Sequence, residues 1–130
     1  MEKEEVRTDR APEAIGPYSQ GVKIGRHVFL SGQIPIDPAT GDLVVGSIAE
    51  QARQVLTNLK AVVEESGASM NDIVKTTVYI TDILFFGDVN EVYADFFTKP
   101  YPARATVQVS GLPRGVDIEI DAVAVVGDGV

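Results

Sequence analysis

The stretch Asp117-Ile118-Glu119-Ile120-Asp121-Ala122-Val123-Ala124-Val125, near the C-terminus, decides how the chain folds. It alternates with the period of a β-strand, in which successive side chains point to opposite faces. Ile118, Ile120, Ala122 and Ala124 make one apolar face. Asp117, Glu119 and Asp121 fall on the other, which then turns apolar at Val123 and Val125. Like charges crowded on one strand face repel. Such a strand packs its isoleucines against a helical layer and turns its acids toward water or another subunit.

The segments upstream supply that helical layer and the neighbouring strands. Ser47-Ile48-Ala49-Glu50 is a capping box, in which the serine accepts from an N3 amide and the glutamate reaches back. Ile48, Ala52, Val55, Leu56, Leu59, Val62 and Val63 follow on one helical stripe, and Gly67 suits a C-terminal cap. A second helix is predicted from Asp82 to about Phe97, with its aromatics in the core, and the Pro-rich residues 99–102 end it. Residues 73–81, rich in β-branched side chains, form a strand with Val74, Val78 and Ile80 toward the helices and Thr77 and Tyr79 on the uncovered side. Residues 21–24 and 28–31 make a hairpin around Gly25-Arg26. Residues 103–109 are a strand whose alternation groups Arg104, Thr106 and Gln108 on one face. The order is strand, strand, helix, strand, helix, strand, strand. It predicts a single α+β domain over residues 1–130, with two helices on one face of a sheet and flexible ends at 1–7 and 127–130. The apolar residues on the uncovered face point to a homo-oligomer.

Composition narrows the chemistry. The chain has 130 residues, a net charge of −8, one histidine and no cysteine. Its acidity opposes nucleic-acid binding, and no partner of that kind is expected. Residues 1–5 are charged and lack the apolar stretch of a secretory signal, and no run approaches the roughly 20 apolar residues of a membrane span. A cytoplasmic protein with no membrane partner is expected. There is no Gly-rich phosphate loop and no cysteine nucleophile, and the lone His27 sits at a turn, so no metal and no cofactor is implied. Two strand residues stand out. Arg104 can grip a carboxylate through two parallel hydrogen bonds or serve as an ion-pair partner on the polar sheet face. Glu119 can act as a general base or be a solvated acid.

Pro102-Ala103-Arg104-Ala105-Thr106-Val107-Gln108-Val109, followed by the Leu112-Pro113 turn and Ile118-Glu119-Ile120, resembles the signature of the RidA/YjgF/UK114 family of reactive intermediate deaminases. Residues 14–22, 30–44, 51–64, 72–82 and 89–97 resemble family segments in family order, so the likeness runs from about Thr8 to Val126. The resemblance implies a chorismate-mutase-like fold and a homotrimer built around a central barrel, with active sites between subunits. It implies hydrolysis of 2-imino acids, such as 2-iminobutanoate and 2-iminopropanoate, or of their enamine tautomers, to 2-oxo acids and ammonia. Arg104 would bind the substrate carboxylate and Glu119 would activate water. Tyr18, Ser31, Gly32 and Asn90 match substrate-contacting positions. Thr106 stands where many members have cysteine, so no thiol role carries over. Asp121 stands where many relatives have glutamate. Endoribonuclease activity and a non-enzymatic, ligand-binding or chaperone-like trimer are the alternatives attributed to the family.

Overall fold

The computed structural model of the chain describes residues 1–127. Six strands form one mixed sheet: β1 (Lys3–Val6), β2 (Gly21–Ile24), β3 (His27–Gln33), β4 (Ile73–Ile80), β5 (Ala103–Gln108) and β6 (Ile118–Val125). Their order across the sheet is β1-β2-β3-β6-β4-β5, so the last strand of the chain lies between β3 and β4. All pairs are antiparallel except β4 with β5. A parallel pair needs a crossover, and helix α2 (Phe86–Ala94), entered through the 3₁₀ turn Ile83–Phe85, lies within it.

Helix α1 (Ile48–Glu65) begins at the predicted capping box: the Glu50 amide donates to Ser47 Oγ at 3.1 Å, and Glu50 closes back on the Ser47 backbone. Its stripe from Ile48 to Val63 is buried as predicted, and Gly67 adopts φ +92° just beyond its end. Against it lie Val28 and Leu30 of β3, Val78 and Ile80 of β4, and Ile118, Ile120, Ala122 and Ala124 of β6. Both helices thus share one face of the sheet, and the other face is left open, as the sequence predicts. Among the described residues no helix is long and apolar enough to cross a membrane.

Four expectations are corrected. Residues 3–6, placed in a flexible end, form the edge strand β1, held in antiparallel register from Lys3 opposite Ile24 to Val6 opposite Gly21. Its single inward apolar residue, Val6, is too weak a pattern to read. Val74 does not face the helices and is 48% exposed. A bulge between Ile73 and Lys75 inserts it into β4, so Ile73 and then Thr76, Val78 and Ile80 point inward. The second helix ends at Ala94, short of Phe97. Asp117 is not a merely solvated acid: it accepts from Thr81 Oγ1 at 3.0 Å and from the Gln51 amide at 3.3 Å. Of the predicted flexible end at 127–130, residues 128–130 lie outside the described residues.

Leu59 is fully buried between α1 and the sheet. Leu59→Ala is expected to lower unfolding free energy by about 2–5 kcal/mol. Urea denaturation at fixed chain concentration measures it, since association would contribute to apparent stability.

Candidate active site

The residues singled out in the sequence gather into two groups, on opposite faces of the sheet. Register shows why. In the β4–β5 pair Arg104 is the partner of Thr76, and in the β4–β6 pair Glu119 is the partner of Tyr79. Neighbouring partners share a face, and residues three apart on a strand do not. Thr76 faces α2, where its hydroxyl meets the Tyr93 hydroxyl at 2.8 Å. Tyr79 lies on the open face, where its hydroxyl donates to Asp121 at 2.9 Å. Arg104 therefore belongs to the helical side and Glu119 to the open side.

The first group is built on α2. Phe86, Asn90 and Tyr93 lie at i, i+4 and i+7, one stripe of the helix. The Arg104 guanidinium carbon sits 4.7 Å from the Tyr93 ring centroid and 5.4 Å from that of Phe86. Cations over aromatic faces are held by the ring quadrupole, which orients Arg104 while leaving its N–H donors free to bind a ligand. Asn90, Tyr93, Ala94, Tyr101 and Pro102 line a cleft with it. Thr106 follows on the same face of β5, two residues along. The sequence placed the aromatics of this helix in the core; Tyr93 is buried, but Phe86 is exposed and serves the arginine instead, and its spacing with Asn90 and Tyr93 was the signal for that role.

The second group is built on β3 and β6. Between Leu30 and Gln33 the register with β6 shifts, so three steps along β3 match two along β6. Ser31 and Gly32 form this bulge, which departs from the regular ladder. Gly32 lets the Glu119 carboxyl come this close: a Cβ there would stand 2.8 Å from Glu119 Cδ, so the carboxyl would have to move. The Glu119 carboxyl thus rests against bare backbone. Ser31 is tied to the incoming chain, its amide donating to Gln20 O at 3.0 Å and its hydroxyl to Ser19 O. The buried Gln20 side chain in turn accepts from the Thr8 amide at 2.7 Å and donates to Pro12 O at 2.8 Å. These bonds carry Tyr18 to a second cleft, lined also by Gly32, Ile34, Pro113 and Arg114. Gln20 was not recognised in the sequence, because its role is to satisfy backbone groups distant along the chain.

Burial disfavours the charged form of Glu119 and raises its pKa, and the neighbouring Asp121 charge raises it further. A half-buried carboxylate in this condition is suited to accept a proton. Among the described residues no three His, Cys, Asp or Glu side chains are grouped to hold a metal.

The family model described as Endoribonuclease L-PSP matches residues 8–126. The chain belongs to this family, which is the RidA/YjgF/UK114 family. Similar to it is a RutC family protein of Pyrococcus abyssi, 52% identical, with 95% of this chain and 98% of that one covered. The 2-iminobutanoate/2-iminopropanoate deaminase of Mus musculus is 48% identical, over 94% of this chain and 90% of that protein. Among solved structures, E. coli TdcF with bound serine superposes with a TM-score of 0.91 at 49% identity, covering 95% of this chain and 99% of that one. Identity of this order over nearly full length, together with the structural match, extends the family membership to the whole described fold.

Gly32→Ala is expected to push the Glu119 carboxyl off the β3 backbone, and a crystal structure of the variant would reveal the displacement. Glu119→Gln is expected to raise the melting temperature at neutral pH. A carboxyl whose folded pKa is raised loses stability as pH climbs through that value, so the gain should vanish in acid, where the wild-type group is protonated. Calorimetry at both pH values checks the sign.

Proposed function

We propose that the chain is a hydrolytic deaminase of reactive 2-imino acids and their enamine tautomers, acting as a cytoplasmic homotrimer with active sites between subunits. The single observation carrying this reading is the pairing of chemistry in the two groups. An aromatic-backed guanidinium suits a substrate carboxylate, and a carboxylate of raised pKa suits water activation. The similarity to named imine deaminases supports the substrate class.

The opposed faces favour a shared site. One chain directs Arg104 toward α2 and Glu119 away from it, so a single small substrate spans both only where a second chain brings its Glu119 face to the first chain's cleft. A trimer closing its open sheet faces around a central barrel would cover Phe29, Val123 and Val125, which a lone chain leaves wholly or partly exposed.

In the proposed reaction Arg104 takes the substrate carboxylate in two parallel hydrogen bonds and orients the iminium carbon. Asn90, Tyr18 and the Ser31-Gly32 backbone border the substrate, with Thr106 beside the arginine. Glu119 removes a proton from water as its oxygen bonds to the iminium carbon, giving a carbinolamine. Glu119 returns that proton to nitrogen and then takes the carbinolamine hydroxyl proton as the C=O forms and the C–N bond breaks. Ammonia leaves behind a 2-oxo acid and carries that last proton away as ammonium. The iminium is already electrophilic, so this route needs no cofactor. The −8 charge gives no electrostatic footprint for RNA, and nucleic acid is not a partner in this reading.

An amino-acid oxidase can generate the imine in the presence of semicarbazide, with semicarbazone absorbance as the readout. Wild-type protein is expected to suppress semicarbazone formation. Arg104→Ala and Glu119→Gln are each expected to lose about 100-fold or more in rate. Semicarbazone formation unaffected by wild-type protein would overturn the activity. Refolding the two inactive variants together is expected to restore about a quarter of wild-type activity, the share of sites drawing both intact residues from different chains of a randomly mixed ring. No recovery would place both residues in one chain's site.

A further inference from the structure

Asp121 is unexplained by the chemistry above, and its surroundings suggest a role. It lies two residues beyond Glu119 on the same face of β6, about 6.6 Å along the strand at a rise of about 3.3 Å per residue. Tyr79, the register partner of Glu119, does not point its hydroxyl there. It reaches diagonally to Asp121, at 2.9 Å. The phenol ring thus lies alongside one acid while its hydroxyl fixes the other. No strand geometry requires this: Thr77 is the register partner of Asp121.

We propose that Asp121 is a positioning residue for the reaction: held by the Tyr79 hydroxyl, its carboxylate stands as a fixed negative charge on the Glu119 face of β6 and strengthens Glu119 as a base. This rests on the assignment of Glu119 as the base. The other groups around Glu119 leave the part to Asp121. From β4 the ionisable groups on this face are the Tyr79 phenol itself and, farther along opposite Val123 on the far side of Asp121, Lys75. The phenol is the one beside Glu119. Its own pKa is raised, first by the hydrogen bond to Asp121, then by burial and by the two acid charges, so it stays a neutral donor. From β3 the neighbour is the Gly32 backbone, and His27 stands at the far end of that strand opposite Val125. Glu13, Tyr18 and Arg114 line the cleft beyond Gly32. Asp117, on the other side along the chain, is turned to Thr81 and Gln51. Like charges on neighbouring carboxyls favour the proton on one of them. Glu119 is the carboxyl that burial and its neighbour's charge push toward holding a proton, which leaves it as the one that accepts.

The test is a carbon-13 carboxyl titration of Glu119 in the intact oligomer, for wild type, Asp121→Asn and Tyr79→Phe, beside the pH dependence of kcat/KM. Asp121→Asn is expected to move the Glu119 midpoint to lower pH and the acid limb of the rate profile with it. The plateau rate should fall by less than the ~100-fold cost of losing the base itself. Tyr79→Phe keeps the charge but releases its position, so a smaller shift in the same direction is expected; this near-isosteric variant guards against misfolding of the first. A Glu119 midpoint unchanged in both variants overturns the positioning role, whatever the activity. A fully active Glu119→Gln overturns the base assignment and the positioning role together.

Discussion

The burial of alternate residues of β6 against α1 is the constraint on which the rest of the molecule depends. Ile118, Ile120, Ala122 and Ala124 are enclosed almost completely. A strand with period two then has no freedom over Glu119 and Asp121: they must stand on the other face, and a slip of one residue would bury both acids. The central place of β6 spreads this constraint outward. Its partners β3 and β4 inherit their facing from it, and with them the Gly32 bulge and Tyr79. The acids so presented are costly for one chain to keep together, and the raised proton affinity of Glu119 is that cost in chemical form.

Arg104 follows from a different rule. Its strand is an edge strand, so no partner on its far side dictates its facing. Parallel pairing with β4 does so instead, aligning Arg104 with Thr76 on the helical side. The crossover that makes parallel pairing possible contains α2, which supplies the rings beneath the guanidinium. The topology that brings an arginine to this edge therefore also brings the aromatic stripe that orients it. The two chemical groups are separated by the thickness of a sheet because one answers to the core of β6 and the other to the register of β5.

Much of the fold was legible in the sequence because strong periodic patterns match what is buried. α1 carries a capping box and an uninterrupted apolar stripe, and β6 alternates without a break. The misses have physical reasons. The β4 bulge adds a residue without altering composition, so Val74 looked equivalent to Val78. β1 offers one buried apolar residue among charges. Alternation grouped Arg104, Thr106 and Gln108 correctly on one face, but a strand's own pattern does not say which face of the sheet that is. Apolar Ala105 and Val107 would be the natural inward choice, and pairing with β4 overrides it. Asp121 had no visible partner because Tyr79 reaches it diagonally, a contact that spacing along one strand does not encode. Gly32 was placed in the site by resemblance, and the close approach of the Glu119 carboxyl to it gives a physical reason for glycine: a Cβ would displace that carboxyl.

The position of β6 also bears on how the chain comes to be folded at all. Strands β1 to β3 can pair as they leave the ribosome, and β4 can later take β5 alongside. These remain two separate ribbons, each with an unpaired inner edge, until residues 118–125 arrive between them. The strand that joins the sheet is thus made after the five others it organises, and the same strand carries Glu119. A chain stopped before residue 118 lacks the joint and the carboxylate together, so such a product exposes two sticky edges rather than a weakened site.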